Sequence, residues 1–99
     1  MTAKTKDKND NSIFIGGKPF MNYVNGVIVQ FNINNVSEVI IKSRGKFISK
    51  AVDVAEVTRR KFLIDKNLKV KNIVMGSKEF ENDEGKLINV STLEIVLSK

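Results

Sequence analysis

Twice in this chain a short β-branched run ends in a glycine-bearing basic turn and passes at once into a segment with helical apolar spacing. The first handover runs from Ile13-Phe14-Ile15 through Gly16-Gly17-Lys18-Pro19, and the second from Val39-Ile40-Ile41 through Lys42-Ser43-Arg44-Gly45-Lys46. A strand that hands over directly to a helix lays that helix back on the sheet it has just left, so two such units in succession imply a layered α+β fold. The same turns have a chemical consequence. A helix start offers unpaired N–H groups and a positive dipole end, and flanking Lys and Arg add full charges, which together suit phosphate.

Pro19 suits the first position of a helix in which Phe20, Val24, Val27, Ile28 and Phe31 recur at helical spacing, and Asn32 to Asn35 supplies its stop. Val36 to Lys42 reads as a second strand, β-branched enough to be covered on both faces. A longer helix is expected from about Lys46 to Leu63, with an apolar stripe of Ile48, Ala51, Val52 and Ala55 and with Asp53 and Glu56 on another side. Arg59, Arg60 and Lys61 fall in its last turns, where cations complement the dipole. Leu68 to Phe80 and Lys86 to Lys99 read as strands joined by the polar link Glu81-Asn82-Asp83-Glu84-Gly85.

The order is therefore β-α-β-α-β-β, a four-stranded mixed sheet with two helices packed on one face and a long hairpin between the third and fourth strands. Residues 1–11, where Lys alternates with Asp and Asn, are expected to form a flexible arm, and residues 12–99 the domain. Phe14, Phe20, Tyr23 and Phe31 sit in apolar rhythm and read as core, whereas Phe47 and Phe62 flank the second helix beside cations and could be exposed, Phe62 reading equally well as an assembly contact or a core anchor.

Ninety-nine residues suffice for one domain and not for two independent cores. The chain has no cysteine and no histidine, which removes disulfides, the usual metal ligands and the commonest general base at neutral pH. No catalytic residue, metal or cofactor is expected, and the chain does not read as an enzyme. No apolar run approaches the ~20 residues that span a bilayer and no signal peptide is recognisable, so the protein is expected to stay in the cytoplasm, away from membranes.

Net charge is +6, and its distribution says more than its size. From Asn11 to Lys50 the cations Lys18, Lys42, Arg44, Lys46 and Lys50 face a single acid, Glu38. The acids Glu79, Glu81, Asp83 and Glu84 gather instead at the hairpin, without the spacing of a calcium loop, and read as a solvated charge run protecting an edge. Gly16-Gly17-Lys18 lacks the remaining glycine and the Ser/Thr of a nucleotide P-loop. Ser43-x-x-Lys46 lacks the partner motifs of an acyl-enzyme site. What remains is a basic surface suited to a polyanion.

Three segments, in order, carry a family likeness: Ile15-Gly16-Gly17-Lys18-Pro19-Phe20-Met21-Asn22-Tyr23-Val24, then Ile41-Lys42-Ser43-Arg44-Gly45-Lys46 through Ser49-Lys50-Ala51-Val52-Asp53, then Asn89-Val90-Ser91-Thr92-Leu93-Glu94-Ile95. From about Ser12 to Lys99 the sequence resembles the Alba family of archaeal chromatin proteins. The resemblance implies a homodimer, with dimers associating further along DNA, that coats or compacts duplex DNA with little sequence preference, binds RNA as well, and resides on the chromosome. It implies phosphate contacts from Lys18, Lys42, Arg44 and Lys46, with Lys50 supporting them, and hairpins that reach toward the minor groove. In this chain Asn82 and Lys86 would be the hairpin's contacts, and Phe62 would serve dimer-to-dimer packing. Two departures from the family pattern stand out. Gly17 occupies a position where the family commonly has a lysine, and each lost cation removes roughly one unit of salt slope. The hairpin tip is acidic at Glu81, Asp83 and Glu84. Alternative readings are a structured-RNA-binding subunit of a ribonucleoprotein and a weaker, more sequence-selective DNA binder.

Overall fold

Strict alternation in the second and fourth strands decides how the layers stack. Val39, Ile41 and Ser43 are buried between half-exposed neighbours, as are Leu93, Ile95 and Leu97 opposite them, so one face of the sheet is covered and the other is not. The computed structural model describes residues 11–99; residues 1–10 of the expected arm lie outside them. The elements are β1 (Ser12–Phe14), α1 (Phe20–Asn32), β2 (Glu38–Arg44), α2 (Ile48–Val57), β3 (Lys69–Glu81) and β4 (Leu87–Ser98). The four strands are ordered β1-β2-β4-β3, with β1 parallel to β2 and the other pairs antiparallel. Asn11 belongs to this framework, since its side-chain amide donates to the Glu38 carbonyl and its own carbonyl accepts from the Ile40 amide at 3.1 Å.

Both helices pack on the covered face. From α1 come Tyr23, Val24, Val27 and Phe31, and from α2 come Ala51, Val54 and Ala55, closing over Val39, Ile41, Leu93, Ile95 and Leu97. Phe20 packs at the margin of this core. The apolar stripe of α2 differs by one position from the expected one. Val54 is wholly buried while Val52 is 41% exposed, so the side packed on the sheet is Ala51, Val54 and Ala55, an i, i+3, i+4 set.

The expected bounds of β1, β3 and β4 each move by about one residue, and three other shifts have a local cause. Pro19 precedes α1 as its cap rather than entering it, and its carbonyl accepts from the Asn22 amide at 3.0 Å. β2 begins at Glu38 and continues through Ser43 and Arg44 because both stay paired with β4, against Leu93 and Thr92. The second helical segment is divided into a 3-10 turn at Gly45–Phe47, α2 itself, and a π turn at Thr58–Phe62 that closes with the Leu63 amide on the Thr58 carbonyl at 2.8 Å.

Phe14 departs most from expectation. It is 69% exposed, not core: Ile15 points to the helices, and Phe14, one step away along the strand, points to the open face. Phe47 is half-buried against the core, while Phe62 is 47% exposed.

β3 is an edge strand with nearly every residue exposed, including Val70, Ile73, Val74 and Met75. Among the described residues no helix is long and apolar enough to cross a membrane.

Candidate nucleic-acid interface

The two strand-to-helix corners are tied to each other. Lys50, in the first turn of α2, sends its ammonium group to the carbonyl oxygens of Gly16 at 2.7 Å and Lys18 at 2.6 Å. Beneath it the Tyr23 hydroxyl accepts from the Gly16 amide at 3.0 Å and the Lys18 amide at 3.1 Å, with the Lys50 nitrogen 5.0 Å from the Tyr23 ring centre. Tyr23 can reach these amides because it stands one turn into α1, directly below the corner. The Gly16-Gly17-Lys18 turn is thus held from both sides, and its surface cation, Lys18, is exposed.

The second corner needs a glycine. Gly45 has φ +57°, the left-handed region that side chains disfavour, and a Cβ there would meet Val90 Cγ1 at 3.4 Å. The chain turns there, leaving Arg44 and Lys46 exposed on either side. Lys46 and Lys50 flank the Phe47 ring at 5.5 and 5.9 Å from its centre, so the second corner is continuous with the first. Lys42 and Arg44, two residues apart on β2, share the open face of the sheet. The Lys42 nitrogen lies 5.4 Å from the Phe14 ring centre and 4.0 Å from a Glu94 oxygen. The Arg44 guanidinium stacks 4.8 Å from the Phe80 ring centre, linking corner to hairpin.

The structure therefore brings together Lys18, Lys42, Arg44, Lys46 and Lys50, with Lys50 bracing the corner from inside. Asn82 and Lys86 stand apart from them at the hairpin tip. Asn82 Oδ1 accepts from the Glu84 and Lys86 amides, both at 2.9 Å, which shapes the turn, while Lys86 is exposed. Phe62 lies at the end of the π turn, away from both corners in sequence. Tyr23, read from the sequence only as core, also holds the corner, and Phe80 and Lys78 escaped the sequence reading as site residues. The parity of the β3–β4 register, which faces Phe80 and Lys78 the same way as Arg44, is the signal that could have found the last two.

The other basic cluster differs electrostatically. Glu56 receives Arg60 at 2.6 Å and Arg59 at 2.8 Å, and these contacts, Arg60 first, hold its carboxyl below the ordinary value of 4.5 against a smaller opposing effect of burial. Arg59 and Arg60 are thereby partly neutralised, as Lys42 is by Glu94, whereas among the described residues no carboxylate engages Lys18, Arg44, Lys46 or Lys50. The acid nearest the corners in sequence, Glu38, sits at the far end of β2 and is engaged by Lys71 at 2.8 Å.

A model of the Alba family matches residues 11–77, more than half of the chain. The chain belongs to the Alba family. The DNA/RNA-binding protein Alba of Methanococcus maripaludis is 49% identical over 90 residues, 91% of this chain and 99% of that protein. Its counterpart in Thermoplasma acidophilum is 51% identical over 90 residues, 91% of this chain and 97% of that protein. Among solved structures, Alba from Thermoplasma volcanium superposes with a TM-score of 0.82 at 52% identity, covering 90% of this chain and all of that one. ALBA1 from Trypanosoma brucei shares the Alba fold at a TM-score of 0.67 and 24% identity, over 91% of this chain and 69% of that one.

Proposed function

We propose that this Alba chain is a dimeric, non-enzymatic nucleic-acid-binding protein that coats or compacts duplex DNA through its phosphate backbone, with little sequence preference, and that it accepts RNA. The observation that carries this reading is the joining of two strand-to-helix corners by Lys50, which presents Lys18, Arg44 and Lys46 as one exposed basic surface. Such a surface binds by releasing condensed counterions, and it reads charge spacing rather than base edges. Backbone amides at the helix starts would set the register on the phosphates.

A dimer is favoured by β3. A long edge strand carrying Ile73 at 55% and Met75 at 81% exposure is a liability in water unless a second surface covers it. Two copies would double the basic surface. Phe62 and Ile64, both exposed at the end of the α2 segment, would supply the further contact between dimers along DNA. RNA enters the reading because the curated Alba relatives carry both polymers in their names. An address on the chromosome, in the cytoplasm, follows from the same reading.

The test is a salt-resolved titration against duplex DNA, duplex RNA and mixed-sequence competitors. The reading expects affinity to fall steeply and linearly with the logarithm of salt, with a slope of about 0.9 per phosphate neutralised, alike for all DNA sequences. A flat salt profile would overturn it. Enrichment of one motif from random duplexes would replace it by a selective binder, and binding confined to structured RNA would replace it by a ribonucleoprotein subunit.

A further inference from the structure

On the open face of the sheet, opposite the helices, lies a cleft of about 440 Å3 whose walls include Phe14, Lys42, Arg44, Lys78 and Thr92. Register places these side chains together: Phe14 stands across from Lys42, and Arg44 from Thr92, which in turn faces Gly76. Across from Thr92, Gly76 leaves the threonine hydroxyl uncrowded, since a Cβ there would stand 3.2 Å from the hydroxyl oxygen. Phe14 is 69% exposed, a flat apolar ring beside cations rather than within the core. At the other side the Phe80 ring backs the Arg44 guanidinium at 4.8 Å, leaving the guanidinium's outer face and edges available. One carboxylate, Glu94, stands among the residues lining the cleft, against Lys42, Arg44 and Lys78, so the cleft is net positive.

We propose that this face is a stacking platform for single-stranded nucleic acid, with an unpaired base laid on the Phe14 ring and its flanking phosphates held by Arg44 and Lys78. The chemistry selects this occupant. An exposed aromatic ring gains nothing from a duplex, whose bases already stack on one another and show only edges in the grooves. An unpaired base has a free face, and rings interleaved with cations are what single strands bind. A protein surface seated here would have to bury Lys42, Arg44, Lys78 and Glu94, at a cost that apolar contact with one phenyl ring does not offset. The cleft is also large enough for a small ring system. This inference rests on the nucleic-acid reading above and adds a preference for polymer form, which the basic corners alone do not create.

The chain has no tryptophan, so Phe14→Trp installs a single indole at the site. Its emission is expected to be quenched by an oligothymidine single strand, and left unchanged by a blunt duplex of equal length or by an abasic strand of equal charge. Phe14→Leu, which removes an exposed ring and opens no cavity, is expected to weaken single-strand affinity roughly tenfold while duplex affinity and the melting midpoint stay at wild-type values. Equal quenching by the abasic strand, or unchanged single-strand affinity in Phe14→Leu, overturns the platform. A changed oligomeric state in Phe14→Leu with unchanged affinity assigns the face to protein contact and also overturns it. If the wild type binds neither polymer, the nucleic-acid reading falls as well. If it binds both and Phe14→Leu is indifferent, the platform alone falls.

Discussion

Lys50 and Gly16 are 34 residues apart and joined directly, the Lys50 ammonium donating to the Gly16 carbonyl at 2.7 Å. The same ammonium reaches the Lys18 carbonyl, so a cation that sequence places in a row of phosphate contacts works from inside the corner. Lys50→Met should lower stability by about 1–2 kcal/mol, the scale of hydrogen bonds to a charged group, read as a lower urea midpoint. It should also weaken duplex binding by more than one cation's share, because Lys18 loses its anchored turn.

Replacing Lys42, Arg44 and Lys46 together by Ala should reduce the salt slope of duplex binding by roughly two to three units, weaken every sequence alike and leave the fold intact. Anisotropy titrations over a range of salt measure the slope. Undiminished binding by the folded variant would place the interface elsewhere.

Thr58 is fully buried in the π turn, and its hydroxyl has no hydrogen-bond partner among the described residues. A buried unsatisfied hydroxyl is destabilising, and Val has nearly the same shape. Thr58→Val should therefore stabilise the chain by about 1 kcal/mol, seen as a melting midpoint raised by roughly 4–8 °C.

Glu56 has a folded-state pKa below its ordinary 4.5, held there first by Arg60 and then by Arg59. A depressed carboxylate contributes stability that is fully present above the ordinary value and is lost as pH falls through the folded one. The wild type should therefore lose more stability than Glu56→Gln on acidification below 4.5, and the two should differ by a constant amount above it. The effect will be modest, because the Glu56 side chain is 37% exposed and solvent screens the pairs. Thermal melts of both proteins across that range make the comparison.

Met75 is 81% exposed on the edge strand β3, on the side facing the helices. Met75→Glu would bring an unpaired charge into the proposed dimer contact, and should raise the dimer dissociation constant roughly tenfold or more without loss of secondary structure. Sedimentation equilibrium reads this directly, and an unchanged dimer would move the contact off β3.

Most of the architecture was legible because it follows from local spacing. The alternation of Val39, Ile41 and Ser43, the helical rhythm of Val24, Val27 and Phe31, and the link ending in Gly85 each specify an element within a few residues. The basic corner at Arg44-Gly45-Lys46 was legible for the same reason, since a glycine between cations at a strand end has few other uses.

Phe14 shows where that reasoning stops. Ile13-Phe14-Ile15 looks uniformly apolar, but a strand has two faces, and whether the second is covered depends on how many layers the chain builds. Two helices cover one face, so Phe14 is left in water. Lys50 shows the same limit for charge: its value as a cation was written in the sequence, yet the carbonyls that capture it come from a turn 32 to 34 residues earlier.

By itself the sequence determined the order of elements, the basic corners and the membership of a family, because these depend on residue types at short spacing. Tertiary structure alone decided which cations face solvent, which one braces the corners, and that Phe14 and Phe80 share a face with Arg44. Those outcomes are set by strand register and layer number, which are properties of the whole sheet and are carried by no single segment of the chain.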